Sequence, residues 1–149
     1  MNSTYLIIVS CSKKKKNLGK NVPAIELYDG PVFKILRKFS TLKKFDRLDI
    51  LIISAKYGVL KYTDKINYYD EKMNQSKAKV MKPQIMKKIS DFLAVNNYEE
   101  IFINLGKNYS VSIEGLENLV DSSCKIIYAK GRIGERLKQT KEWLLKVMN

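Results

Sequence analysis

The run YLIIVSCSKKKK, residues 5–16, decides the fold: seven largely apolar, β-branched positions end at small polar side chains, and a lysine run follows. Residues 5–11 show no alternation of apolar and polar side chains, as expected of a strand covered on both faces. Such a strand needs layers on either side of its sheet. Three more short runs share its character: DILIIS at 49–54, EIFINL at 100–105 and KIIYA at 125–129. Helical spacing occupies the intervals at 31–45, 76–95, 113–120 and 133–148, with Pro31 suited to a first helical turn. Strands alternating with helices give an α/β fold, a three-layer sandwich around a mainly parallel four-stranded sheet. Ile85, Ile89, Phe92 and Leu93 recur at helical spacing and are read as core, as are Ile133, Leu137, Trp143, Leu144 and Val147. No repeat, low-complexity linker or composition shift divides residues 1–149, which are read as a single domain.

Composition narrows the chemistry further. The chain contains two cysteines, Cys11 and Cys124, and no histidine. Ser-His-Asp and Cys-His nucleophiles are therefore excluded, as are zinc sites with mixed Cys and His ligands, and no metal site is expected. Any general acid or base must be Asp, Glu, Lys, Tyr or Cys. The two thiols fall at opposite edges of the sheet, because Cys11 ends one parallel strand and Cys124 begins another; both are expected free. The longest apolar run is too short to cross a bilayer, and residues 1–4 carry no basic leader, so a cytoplasmic protein without a membrane partner is expected.

The net charge of +13 asks for an anionic partner. Residues 1–48 carry +8, residues 49–130 carry +2 and residues 131–149 carry +3, so the excess lies at the two ends of the chain. Lysine-rich, AT-biased coding is the competing explanation for the charge, but it does not account for this segregation.

Two long connections, residues 12–30 and 56–75, leave the carboxyl ends of the first two strands. Loops of that length in a compact domain are commonly functional, and open α/β sheets bind ligands beyond their carboxyl edge. That geometry brings SCSKKKK and SAKYG to one rim. Ser10, Cys11 and Ser12 allow close approach to the backbone and offer hydroxyls to a phosphate or base edge, with Lys14, Lys15 and Lys16 as point charges. The alternative is a buried Cys11 beside a solvated lysine run. In SAKYGVL, Ser54 and Lys56 repeat the arrangement, Gly58 suits a positive φ, and Tyr57 either stacks on a base or caps the core. INYYDEKM adds Tyr69 and Asp70. AIELYDGPVF places Glu26, Tyr28 and Gly30 before the first helix, where Glu26 is a site carboxylate or a turn acid and Tyr28 a ligand contact or a core lid. GRIGERL opens the last helix with Arg132 and Arg136 near an N-terminus able to hold an anion. It matches neither the P-loop nor the dinucleotide fingerprint, so ATP and NAD are discounted and no cofactor is expected.

Taken in order, SCSKKK, AIELYDGPVF, SAKYGVL, YYD and GRIGERL resemble a family of uncharacterised small bacterial, archaeal and phage domains, over about residues 5–137. More distantly, the K-Y-G-V-L stretch followed by Y-D is similar to the peroxide-stress YaaA family, and the C-S-x-x-K opening to the core domain of archaeosine synthase. Asn67 and Tyr68 stand where a Glu-Pro pair is common in those relatives. The resemblance implies a fold akin to uracil-DNA glycosylases and a role in handling bases of DNA or tRNA.

Two functions follow. One is a glycosidase or transferase acting on a modified base, in which Lys14 to Lys16 hold phosphate, Tyr57 or Tyr69 stacks on the base, and Asp70 or Glu26 orients water. The other is a non-catalytic module that recruits a partner enzyme to nucleic acid and needs the basic rim but not the carboxylates.

Overall fold

A computed structural model describes residues 4–42 and 46–148. The elements are β1 (Tyr5–Ser10), β2 (Val22–Pro23), α1 (Ala24–Leu27), α2 (Pro31–Leu42), β3 (Leu48–Ser54), β4 (Gly58–Lys61) and β5 (Lys65–Ile66). They continue with α3 (Gln75–Val95), β6 (Glu100–Asn104), α4 (Lys107–Ser110), two 3₁₀ turns (Val111–Ile113 and Leu116–Leu119), β7 (Lys125–Tyr128) and α5 (Ile133–Val147). The predicted end of the first long helix, residues 43–45, lies outside the described residues, as does most of the stretch read as lacking a leader.

The sheet has five strands in the order β4-β3-β1-β6-β7. β1 pairs in parallel with both β3 and β6, and β6 in parallel with β7. This central position explains the uninterrupted apolar run, since Leu6, Ile7, Ile8 and Val9 are all fully buried. Each such side chain contributes about 1.5–3 kcal/mol by leaving water. Right-handed crossovers put α2 and α5 together on one face, where they pack against each other, and α3 with α4 and the following turns on the other.

Three expectations are corrected. The sheet has five strands rather than four, because the chain reverses directly after Ser54 and β4 runs antiparallel to β3, pairing Ser54 with Gly58. The reversal uses Gly58 at φ +79°, a conformation that a Cβ disfavours. A four-residue strand gives too little pattern to be seen in advance. The helix expected at 113–120 is two short turns, interrupted by Gly115 at φ +90°. Ile133, expected in the core, is 61% exposed at the start of α5, whereas Trp143, Leu144 and Val147 are buried.

The two long connections do not hang free. β2 and β5 pair as an antiparallel ribbon, matching Val22 with Ile66 and Pro23 with Lys65, so one loop clamps the other. Among the described residues no helix is long and apolar enough to cross a membrane.

Candidate functional site

From β1 the chain moves first to β3 on one side and later to β6 on the other. The strand order therefore reverses between β1 and β6, and the loops leaving their carboxyl ends diverge to leave a crevice. A cleft of about 340 Å³ lies there, floored by Ser10, Cys11 and Ser12 and by Asn104 and Gly106 from the β6 exit. Gly30, Pro31 and Val32 of the α2 start form one wall; Ile133, Arg136 and Leu137 of α5 form the other. Among the described residues its charged lining is Lys13, Lys14 and Arg136, with no carboxylate.

Local bonding fixes these groups. Ser12 Oγ donates to the Lys14 carbonyl at 2.6 Å and accepts the Gly30 N–H at 3.2 Å, tying the lysine run to the start of α2. A Cβ at Gly30 would lie 2.7 Å from Ser12 Cβ, so this approach requires glycine. Arg136 donates through one terminal nitrogen to Asn104 Oδ1 at 2.9 Å and to the Leu105 carbonyl at 3.1 Å. Asn104 in turn donates to Thr140 Oγ1 at 3.0 Å, and both are buried. The guanidinium is thus positioned through a single nitrogen, leaving its other N–H groups for a ligand.

On the opposite flank of β1 the edge is closed. Tyr28 and Ser54 are fully buried and Tyr69 nearly so. Ser54 Oγ accepts the N–H groups of Lys56 at 3.1 Å and Tyr57 at 3.0 Å, which fills both of its lone pairs. Its own proton therefore goes to the Tyr69 oxygen, 2.9 Å away, and Tyr69 shares a 2.5 Å hydrogen bond with Tyr28. Tyr57 packs edge-on against Tyr69 with ring centres 5.4 Å apart, and the Lys15 ammonium sits 4.5 Å from the Tyr69 ring centre. On the β6 side, Cys11 Sγ lies 3.0 Å from the hydroxyl of Tyr109 on α4. Burial raises the pKa of Tyr28, Tyr69 and Tyr109, so all three remain protonated at neutral pH. Burial lowers that of Lys15, opposed by the neighbouring Asp70 carboxylate. Both thiols are free.

The structure divides the sequence-derived rim. Ser10, Cys11, Ser12, Lys14, Gly30 and Arg136 meet at the cleft. Ser54, Tyr57, Tyr28 and Tyr69 form the closed network, Lys56 hangs over the rings of Tyr57 and Tyr69, and Gly58 sits under Gln84 at the hairpin. The lysine run separates accordingly: Lys13 and Lys14 face the cleft, Lys15 covers Tyr69, and Lys16 acts on Asp29. Asp70 is exposed and reaches Lys15 electrostatically. Glu26 is exposed on α1 and makes no hydrogen bond or ion pair with a described residue. Arg132 is exposed and outside the cleft lining; the anion expected at the α5 start is the chain's own Glu135, which accepts the Arg132 N–H at 3.0 Å. Lys13 and Asn104 were missed. Asn104 was legible only as a polar residue near the end of an otherwise apolar strand.

A family model described as a family of unknown function (DUF6884) matches residues 6–142, and the chain belongs to that family. No curated protein matches. Among solved structures, the crystal structure of AF0587, a protein of unknown function, has a similar fold, with a TM-score of 0.58 and 13% identity. The similarity covers 95% of this chain and 44% of that one, so this chain spans less than half of that protein's length.

Proposed function

We propose that this domain binds DNA or tRNA through the cleft between the β1 and β6 exits, seating a nucleotide with its phosphate against Lys14 and Arg136. The observation that carries the reading is the charge of that cleft: among the described residues Lys13, Lys14 and Arg136 line it and no acid does. A volume of about 340 Å³ is of nucleotide size. Arginine offers a flat pair of donors to phosphate oxygens, and lysines beside it add point charge. The similarity of SCSKKK and SAKYGVL to the YaaA and archaeosine synthase segments, and through them to uracil-DNA-glycosylase-like folds, supports the same substrate class.

The test is a binding titration of short single-stranded oligonucleotides across salt concentrations. Replacing Lys13 and Lys14 with alanine should make the slope of log affinity against log salt shallower by about 1.4 units, given about 0.7 per phosphate contact on single strands. Replacing Lys79 and Lys87, both exposed on α3, removes the same formal charge. Equal changes from both pairs would reduce the interaction to net charge and remove the cleft from it.

The enzymatic form of the proposal, a glycosidase or base transferase, rests on Asp70, because Asp70 acts on Lys15 at the rim whereas Glu26 makes no hydrogen bond or ion pair with a described residue. The absence of a carboxylate from the cleft favours the second form, a binding module that recruits a partner enzyme. Mass spectrometry of nucleosides after incubation with host DNA or tRNA separates them. Turnover lost in Asp70→Asn identifies an enzyme; unchanged nucleosides with intact binding identify a module.

A further inference from the structure

A second cleft, of about 550 Å³, lies between the exits of β6 and β7 beside the first. The β6 exit is the partition: Asn104 and Gly106 line the first cleft, Leu105 and Lys107 the second. Arg136 lines both, held in the partition by Asn104 and the Leu105 carbonyl. Among the described residues no buried side-chain nitrogen or oxygen lacks a partner, so the uncommitted guanidinium N–H groups reach solvent.

The two clefts differ in chemistry. Among the described residues the first is lined by cations without acids; the second mixes charge, with Glu114 and Glu117 beside Lys107 and Arg136, over an apolar floor from Ile103, Leu105 and Ile113 and a partly exposed Tyr128 ring. The Tyr128 hydroxyl donates to Glu117, which fixes the ring and the acid relative to one another. That hydrogen bond holds the Glu117 carboxyl below its usual range, while burial and the same bond push Tyr128 up to about 12. The pair keeps this arrangement throughout the neutral range. Ionised carboxylates only accept hydrogen bonds, so they favour a ring that carries an exocyclic amino group and disfavour thymine or uracil, whose single N3–H is flanked by two carbonyl acceptors.

We propose that the β6–β7 cleft is a base subsite for an amino-bearing nucleobase, with Arg136 holding the phosphate at the partition between the two clefts. This rests on the phosphate reading of the first cleft and adds base selection to it. The aromatic face of Tyr128 supplies stacking, which any base accepts, and Glu114 and Glu117 supply the discrimination.

The test compares hexamers of deoxyadenosine, deoxycytidine and deoxythymidine by fluorescence anisotropy. Wild-type protein should bind the first two about tenfold more tightly than the third. Glu114→Gln with Glu117→Gln should bring the three within about twofold, because an amide both donates and accepts. Tyr128→Leu should weaken all three by about tenfold through lost stacking. Arg136→Lys, which keeps the charge but not the fork, should weaken all three alike. Binding without preference, or a preference that survives the double glutamine variant, overturns the base subsite and leaves the phosphate site standing. No binding of any hexamer by wild-type protein overturns both.

Discussion

On its two flanks, β1 meets the same edge of the sheet finished in opposite ways. Toward β3 the edge is sealed: Ser54, Tyr69 and Tyr28 satisfy one another, Tyr57 packs on Tyr69, and Lys15 lies over the rings. Toward β6 it is open, with Lys13, Lys14 and Arg136 around a cleft. Topology produces the difference. β3 turns straight back into β4 through a tight hairpin whose backbone donates to Ser54, and the two long loops are pinned above it by the β2–β5 ribbon. Between β1 and β6 the loops diverge toward α2 and α4, and the contacts that cross the gap, Cys11 Sγ with the Tyr109 hydroxyl and the Gly106 N–H on Ser10 Oγ, leave the cleft open beside them. One flank holds the loops in place, and the other leaves the cleft to which the proposed function assigns the ligand.

This division is broken or sharpened by substitutions on either side. The largest expected effect is on the sealed flank. Ser54→Val removes the acceptor for two backbone N–H groups and the donor to Tyr69, and should cost about 3 kcal/mol in urea denaturation while leaving oligonucleotide affinity of the folded protein within twofold. A large loss of affinity in folded protein would make the network part of the binding site. On the open flank, Arg136→Met should weaken oligonucleotide binding by about 2 kcal/mol, roughly thirtyfold, in a direct titration. Some stability is lost as well, because Asn104 and the Leu105 carbonyl lose a donor.

Smaller effects refine the contrast. Tyr69→Phe should cost about 1 kcal/mol at neutral pH and change the alkaline limb of the stability curve. Burial raises the pKa of Tyr69 and Tyr28, so the native chain retains protons that the unfolded chain releases. Stability from these groups is complete below the unfolded tyrosine value, about pH 10, and falls above it. The phenylalanine variant should lose stability less steeply above that pH, by about 1.4 kcal/mol per pH unit, as followed by denaturant titration. The smallest effect is expected at Lys15. Lys15→Met should change oligonucleotide affinity by less than about 0.5 kcal/mol, whereas alanine at Lys13 and Lys14 flattens the salt dependence.

The parallel core was legible because burial on both faces of β1, β3 and β6 leaves unbroken apolar runs, and β7, an edge strand with Lys125 and Tyr128 exposed, was legible from Ile126 and Ile127 between them. The four runs beginning at Tyr5, Asp49, Glu100 and Lys125 match the parallel strands to within one residue. β4 and the ribbon escaped because elements of two to four residues carry no period. At the site, the small side chains at the end of β1 and the glycine before α2 were legible as a close approach, and Gly30 against Ser12 is that approach. The partition of the lysine run was not legible. Four identical side chains give no hint that Lys15 bridges to Tyr28 and turns over Tyr69 while Lys14 faces the cleft. Which flank of β1 would stay open depended on the strand order, and in particular on β6 returning to the far side of β1.

An amide-detected NMR titration of the full chain with a single-stranded hexamer tests the division most directly, since both flanks are reported in one spectrum. The expected result is saturable shifts at Ser10 to Lys14, Gly30 and Gly106, together with the Arg136 side chain, while Lys56 and Tyr57, whose N–H groups are held by Ser54, stay in place. Shifts concentrated at Lys56 and Tyr57, or spread evenly along the exposed lysines of α3, would contradict it.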